Sequence, residues 1–212
     1  MKDTTIILAS GSPRRIEIMK SNGIDPIVIS PSVDEHIPDD LNIDQAVMFL
    51  ALKKALSVEE TIVRQRGMGL SETDSQYLII AADTLIYYDK IIGKPKDKGE
   101  AYEIISTLRN NMHYVVTGLA ILRVGTPERK VFCEVTEVYF KHYSDAEIEA
   151  YIATEEPYDK AGGYAIQGSW EKHIEHINGD FNNVVGFPWT RIQYELNNYF
   201  KVCLSALSGT PT

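Results

Sequence analysis

Cysteine is scarce in this 212-residue chain: Cys133 and Cys203 stand 70 positions apart, with neither C-x-x-C nor Cys/His spacing around them. No disulfide framework or thiolate zinc site is indicated, and a reducing compartment, the cytoplasm, is expected. Long apolar runs are missing too. The first, Ile6 to Ala9, is too short for the core of a secretory signal. No later stretch approaches the ~20 apolar residues that a membrane helix needs. Positive charge is in deficit, with 21 Lys and Arg against 30 Asp and Glu and a formal net charge of -9. A surface for nucleic acid polymers or for membranes is therefore not expected, and a phosphate-rich ligand has to be met by a local basic pocket.

Several catalytic signatures are absent. The five histidines, His36, His113, His142, His173 and His176, show neither H-E-x-x-H nor a ligand pair at helical spacing, and read as structural or surface residues. There is no G-x-S-x-G elbow, and neither cysteine has a nucleophile's setting, so covalent catalysis has little support. Lys94 lies in GKP without G-x-x-x-x-G-K-[ST], which excludes a P-loop.

What is present is apolar material for a core: 44% of the residues are hydrophobic, enough for one compact α/β unit or two closely packed lobes. Thr4 to Ser10 reads as a strand. A helix follows in SPRRIEIMKSNG, with Ser12 as its cap, Pro13 at its first position and Gly23 as its stop. Pro26 to Ser30 reads as a second strand and Ser32 to Asp40 as an acidic loop. Asn42 and Gln45 form an N-cap pair for a helix through Arg66, with Ala46, Phe49, Leu50 and Leu56 on its apolar side and Lys53 and Lys54 upon it. Residues 67–76 read as a polar loop. Tyr77 to Ala82 reads as a buried strand that delivers Asp83 and Thr84 at its end, followed by a hairpin through Asp89-Lys90.

A helix is expected over Lys98 to Leu108, then two alternating strands, Tyr114 to Arg123 and Val131 to Lys141. Ser144 and Glu147 make a capping box for a helix through Ala153. EEPYDKAGGYAIQG has the character of a functional loop, Asn178-Gly179 marks a turn, a last helix runs from Thr190 to Tyr199, and SALSGTPT is a frayed tail. With no repeat and no linker, residues 1–212 read as a single mixed α/β domain, a twisted central sheet flanked by helices.

Cutting a phosphoanhydride takes cations around the phosphates, a bridging divalent metal, and a carboxylate that holds the metal or deprotonates water. In LASGSPRR, Ser10, Ser12 and the first helical amides suit phosphate oxygens, while Arg14 and Arg15 add charge. Taken alone, the octapeptide reads equally well as a capped helix with two solvated arginines. Asp83, next to an apolar strand, stands where α/β sheets place working groups, although Asp is also common in turns. Glu35 in VDE and Lys94 in GKP are weaker candidates, because acidic loops and lysines are ordinarily solvated.

LASGSPRR, VDE, LALKKA, AADT, GKP, H-x-V-x-T-G, YDKAGGYAIQG and GDFNNVVGFP occur in order from residue 8 to about 188. In this the chain resembles the Maf family of nucleotide pyrophosphatases. The resemblance implies a mixed α/β fold with a deep cleft between two lobes, a Mg²⁺ or Mn²⁺ requirement, a homodimer, and cleavage of a nucleoside triphosphate into monophosphate and pyrophosphate. On matching positions it makes Asp83 the general base, with Glu35 and Asp83 as metal ligands. Ser10, Arg14, Arg15, Lys54 and Lys94 would line the triphosphate, and Thr84 and Gln167 would shape specificity beside Arg14.

KAGGYAIQG resembles the branch that acts on dTTP and UTP, and Gln167 carries both donor and acceptor for a pyrimidine edge. Two alternatives stay open: a 7-methyl-GTP or general triphosphate pyrophosphatase, and a nucleotide-binding regulator of division and septum formation. Arg109-Asn110-Asn111 stands where the family has Ser-Gly, Phe187 replaces a Leu, and the 67–76 loop is longer.

Overall fold

The computed structural model describes residues 4–65 and 77–202. The expected polar loop, Arg66, Cys203 and the SALSGTPT tail lie outside the described residues. The described chain is mixed α/β, with six helices and a seven-stranded sheet. In order it runs β1 (Thr5–Ala9), α1 (Pro13–Ser21), β2 (Ile27–Val28), α2 (Ile43–Gln65), β3 (Tyr77–Tyr88), β4 (Lys90–Ile92), α3 (Lys98–Leu108), β5 (Met112–Arg123), β6 (Arg129–Phe140), α4 (Asp145–Ile152), β7 (Ile174–Asn178), α5 (Phe181–Val185) and α6 (Trp189–Asn198). The strand order is β2-β1-β3-β5-β6-β7, with β4 also paired to β3. β1 is parallel to β2 and β3, whereas β3–β4 and β6–β7 are antiparallel, so the sheet is mixed.

The chain divides into two compact units. The first comprises the residues up to Asp83, Gly118–Cys133 and those from Gly186 onward. Its β1, β3 and β5 segments are buried on both faces, which is why they read as unbroken apolar runs. Alternation then sorts their side chains. Ile6, Leu8, Leu78, Ile80, Ala82, Leu119 and Ile121 join Met19, Ile24, Trp189, Ile192 and Leu196 in one cluster. Ile7, Ala9, Ile79, Ala81, Ala120 and Leu122 meet Ala51, Ala55, Val58 and Ile62 of α2 in the other.

α1 ends as expected at Gly23. Gly23 N–H donates to Lys20 O at 3.0 Å, Ile24 N–H to Met19 O at 3.0 Å, and Gly23 has φ +79°, the arrangement that closes a helix on a left-handed residue. α2 starts on the expected pair, with Asn42 N–H donating to Gln45 Oε1 at 3.1 Å and Gln45 N–H to Asn42 Oδ1 at 2.9 Å. Its buried side is Ala46, Val47, Leu50, Ala51, Ala55 and Val58. Phe49 and Leu56, expected on that side, are 37% and 43% exposed. The packing selects small residues instead, because α2 lies against β5 at backbone distance. A Cβ on Gly118 would sit 2.2 Å from the carbonyl carbon and oxygen of Val47.

The second unit comprises Thr84–Thr117 and Glu134–Val185. Its core is built around aromatic rings: Phe140, Tyr143, Tyr151, Tyr164 and Trp170 pack with Ile86, Ile105, Val115, Val138 and Ile148. Tyr151 stacks on Trp170 at 4.5 Å, and Tyr143 meets the same indole edge-on at 4.9 Å. α3 spans the expected residues, capped by Asp97, whose carboxylate accepts from Glu100 N–H at 2.9 Å. α4 carries both bonds of the Ser144/Glu147 box. Arg109-Asn110-Asn111 forms the turn from α3 into β5, with Asn110 at φ +57° and Arg109 donating to Asp145 at 2.6 Å.

Four expectations need correction. Pro26 to Ser30 contributes only Ile27–Val28 as strand, both exposed, since the pair forms an outer strand of the sheet. β5 does not alternate: from Val115 to Leu122 every residue is buried. β7 and α5 are elements the sequence did not announce, being short and not marked by periodicity. Finally, Asp83 and Thr84 do not end their strand. β3 runs on to Tyr88 as one twelve-residue element, because Leu85–Tyr88 turns back through Asp89, at φ +56°, to pair with β4.

Candidate functional site

The turn from β1 into α1 is braced by Ser10, not Ser12. Ser12 occupies the cap position of α1, yet its hydroxyl makes no capping bond. Buried Ser10 Oγ instead accepts from Ser12 N–H at 3.2 Å and from Arg15 Nη1 at 3.1 Å. Arg15 is half-buried and multiply anchored: Nη1 also donates to Ala82 O at 2.8 Å, and Nε donates to Gly186 O at 2.9 Å. The pairing of β1 with β3 stops at Ala9–Ala81, so the guanidinium takes up a carbonyl just past the end of that ladder. Burial lowers the Arg15 pKa to about 10, a pull opposed by the charges of Asp83 and Glu35 and deepened by Arg14. It stays cationic at neutral pH. Arg14, its neighbour, is half-buried.

On the α2 side of β3, Asp83 follows Ile79 and Ala81 in alternation and is 8% exposed. Lys54 of α2, only 9% exposed, meets it there. A buried ammonium needs anionic partners, and Lys54 Nζ has two: Asp83 Oδ1 at 2.5 Å and Glu35 Oε1 at 2.6 Å. The Glu35 side chain is 57% exposed, so one limb of this acid–ammonium–acid bridge is sealed and the other is open to solvent. Lys53, one residue earlier, faces Phe49 and lies 4.0 Å from Asp34. Desolvation raises the Asp83 pKa, against the lowering by Lys54 and, more weakly, Arg15, while Glu35 adds to the rise. A carboxylate so raised is a stronger base than an exposed one.

A continuous chain of contacts in the first unit thus gathers Ser10, Arg15, Asp83, Lys54 and Glu35, with Arg14 alongside. Thr84, Lys94 and Gln167 belong to the second unit. Thr84 is half-buried, its Oγ1 3.0 Å from Thr117 Oγ1. Lys94 and Gln167 are exposed. The segments carrying them are joined, since Gly162 N–H donates to Gly93 O at 2.9 Å. The AGGYAIQG loop is held twice more. Tyr164 Oη lies 2.6 Å from His113 Nε2, and the Glu156 carboxylate accepts from Ser169 N–H at 3.1 Å and Ser169 Oγ at 2.8 Å.

His113 is fully buried, and burial lowers its pKa to about 3, so it is neutral at physiological pH. His173 is buried beside Glu147; His36, His142 and His176 are exposed. Sequence reasoning assigned no role to Thr117, Gly118 or Asn183. Their only signal was membership of motifs whose purpose became physical once the chain was folded.

The donor set decides what cation the bridge suits. Among the described residues, no group of three or more His, Cys, Asp or Glu could hold a metal ion. The bridge itself offers two hard carboxylate oxygens, of Glu35 and Asp83, converging on one positive charge. That fits a small divalent ion bound through one or two carboxylates and completed by water and the phosphates of a ligand.

A mixed α/β chain whose acid–ammonium–acid bridge joins Glu35, Lys54 of α2 and Asp83 of β3, with a serine–arginine turn after β1, belongs to a class that comparison with known proteins names. The chain belongs to the Maf family: the model described as "Maf-like protein" matches residues 5–199. It is 40% identical over 199 residues to the dTTP/UTP pyrophosphatase of Alkaliphilus oremlandii strain OhILAs, covering 94% of this chain and 98% of that protein. It is 42% identical over 192 residues to the dTTP/UTP pyrophosphatase of Caldicellulosiruptor bescii, covering 90% and 92%. The like-named protein of Bacillus thuringiensis subsp. konkukian is 40% identical over 195 residues, covering 92% and 95%. Among solved structures, the Staphylococcus aureus Ham1 protein aligns with a TM-score of 0.41 at 15% identity, over 65% of this chain and 72% of that one. Among the described residues no helix is long and apolar enough to cross a membrane.

Proposed function

We propose that this chain is a pyrophosphatase that hydrolyses the α–β phosphoanhydride of dTTP and UTP, releasing the nucleoside monophosphate and pyrophosphate. The observation that carries the reading is the bridge from Glu35 through Lys54 to Asp83, in a chain about 40% identical along nearly its whole length to proteins named for that activity.

Asp83 is the general base: rigid on β3, shielded from water and raised in pKa, it takes the proton of the water that attacks phosphorus. Lys54 keeps that carboxylate oriented and brings positive charge to the phosphates, with Arg14 and Lys94 as further cations; negative charge grows on the departing pyrophosphate, and these groups neutralise it. Arg15 acts mainly by holding Ser10 and the β1–α1 turn in place. Glu35 and Asp83 would hold Mg²⁺ or Mn²⁺, which when bound supplies Lewis-acid charge neutralisation and a more acidic water. Thr84 and Gln167 set the base preference. The ligand is a small nucleotide; at a net charge of -9 a nucleic acid polymer is disfavoured.

The test is pyrophosphate release from a panel of dTTP, UTP, CTP and 7-methyl-GTP with Mg²⁺. Release from dTTP and UTP above the others is expected, and its absence from every nucleotide would end the proposal. Asp83→Asn should lower kcat by roughly 10²–10⁴-fold, the usual worth of a general base, while nucleotide binding persists. Nucleotide binding without pyrophosphate release by the wild-type chain would point instead to a regulator that senses nucleotide.

A further inference from the structure

Glu35 and Asp83 are the carboxylates to which the proposed reaction gives the metal, yet one oxygen of each is already taken. Lys54 Nζ lies 2.5 Å from Asp83 Oδ1 and 2.6 Å from Glu35 Oε1, so the ammonium sits at the point on which the two acids converge. A small divalent ion would need carboxylate oxygens at about 2.0–2.1 Å. An ion bridging these same two atoms would be pressed against the ammonium, cation against cation. Lys54 and the metal therefore compete for one position.

Charge leads to the same conclusion. The two carboxylates are matched by two cations, Lys54 and Arg15, the latter close enough for its charge to act on both acids. A divalent ion added alone would leave this cluster positive, and Asp83 and Lys54 are buried, where excess charge is penalised. A polyphosphate reverses the balance: it brings several negative charges and gives the ammonium another set of hard oxygens. Lys54 shares the buried side of α2 with Ala51, Ala55 and Val58, but its partner Glu35 is mostly exposed, so a ligand can reach the bridge from solvent. Ser10 and Arg15 of the turn after β1 belong to the same unit.

We propose that Lys54 is a resident counter-ion that keeps the Glu35/Asp83 pair closed to divalent metal until a polyphosphate draws its ammonium away. The pair then turns to the metal while the ammonium serves the phosphates. Metal and nucleotide bind with positive coupling, and the chain holds metal poorly without substrate. The inference rests on the pyrophosphatase reading and adds to it an order of assembly.

The experiment measures Mn²⁺ dissociation constants from the free-ion electron paramagnetic resonance signal, with and without α,β-methylene-UTP, after allowance for Mn²⁺ held by the free analogue. It compares the wild-type chain with Lys54→Met, which keeps the side chain's length without its charge, and with Lys54→Met/Glu35→Gln. Lys53→Met controls for net charge, since Lys53 lies 4.0 Å from Asp34 and is no part of the bridge. The wild-type chain should bind Mn²⁺ roughly tenfold more tightly with the analogue, within the usual range of coupling between sites. Lys54→Met should bind Mn²⁺ alone roughly tenfold more tightly than the wild type, because the metal replaces the ammonium between two acids that need a counter-charge. Adding Glu35→Gln should remove that gain, and Lys53→Met should keep the wild-type value.

The sign of the Lys54→Met effect separates the roles open to this lysine. One that only bound phosphate would leave Mn²⁺ affinity unchanged, and one that only oriented Asp83 would weaken it; either result overturns the proposal. So does an equal gain in Lys53→Met, or a wild-type chain that holds Mn²⁺ alone as tightly as with the analogue, a result that needs no variant to fold. Absence of Mn²⁺ binding by every chain overturns it together with the assignment of metal to Glu35 and Asp83. If no nucleotide yields pyrophosphate, the pyrophosphatase reading has failed separately. Inorganic tripolyphosphate then replaces the analogue, and the sign of the Lys54→Met effect still decides.

Discussion

Replacing Gly118 with alanine tests whether the site depends on the close contact of α2 with β5. The new methyl would meet the carbonyl carbon and oxygen of Val47 at 2.2 Å and Met48 N at 2.6 Å. All three are backbone atoms, so no side-chain rotation relieves the clash, and the two elements must part by about an ångström to reach ordinary contact distance. Overpacking of this kind costs ~1–3 kcal/mol, and the upper end applies because β5 is buried on both faces here. At roughly 2–4 °C per kcal/mol for a chain of this size, Tm should fall by about 6–12 °C. Lys54 lies some two turns along α2 from Val47 and moves with the helix. A misplacement near 1 Å costs ~10²-fold in rate, so pyrophosphate release should drop far more than the remaining folded fraction explains. Gly93→Ala is the internal control: its Cβ would meet nothing within 4 Å, and stability should stay within ~0.5 kcal/mol. Scanning calorimetry and the pyrophosphate assay measure both. A Gly118→Ala chain with wild-type Tm and turnover would refute the reasoning.

Arg15→Lys keeps the charge but cannot reproduce donation to Gly186 O, Ala82 O and Ser10 Oγ from one planar group. We expect a loss of about 2–3 kcal/mol, read as a lower urea midpoint, and an unchanged midpoint would show that the fork is dispensable. His113 predicts a pH dependence of stability. Its folded pKa is depressed to about 3 against an ordinary 6.5, so between those values the unfolded chain binds the extra proton. Its contribution is complete above pH 6.5 and is lost as pH falls, by at most ~1.4 kcal/mol per pH unit. His113→Phe removes that slope, so its Tm should fall less between pH 7 and pH 5 than the wild type's. Parallel Tm curves would contradict a buried neutral imidazole.

Much of the helical structure in both units was legible because its signals are local. The Asn42/Gln45 and Ser144/Glu147 boxes, the Gly23 stop and the α3 boundaries each depend on a few neighbouring residues whose hydrogen bonds close within one turn. What escaped depends on tertiary distance. Phe49 and Leu56 satisfy a helical apolar pattern as well as Val47 and Ala51 do. Only the approach of β5 at Gly118 decides that small residues take the inside. Arg15 likewise looked identical in character to Arg14, and nothing local says that one guanidinium spends its donors on Ala82 and Gly186.

The misjudged end of β3 carries the same lesson for the site. A carboxylate at a strand terminus would be expected to project from a loop, with its neighbour free to turn the same way. In a strand that continues to Tyr88, alternation forces Asp83 and Thr84 onto opposite faces. Asp83 therefore meets Lys54 and, through it, Glu35, while Thr84 meets Thr117 and, through it, Asn183. Two adjacent residues are held by different polar partners, and neither set has to compromise for the other. The strand's continuity, fixed by the pairing of Ile86 with Ile92 and Tyr88 with Lys90, is what keeps both orientations at once.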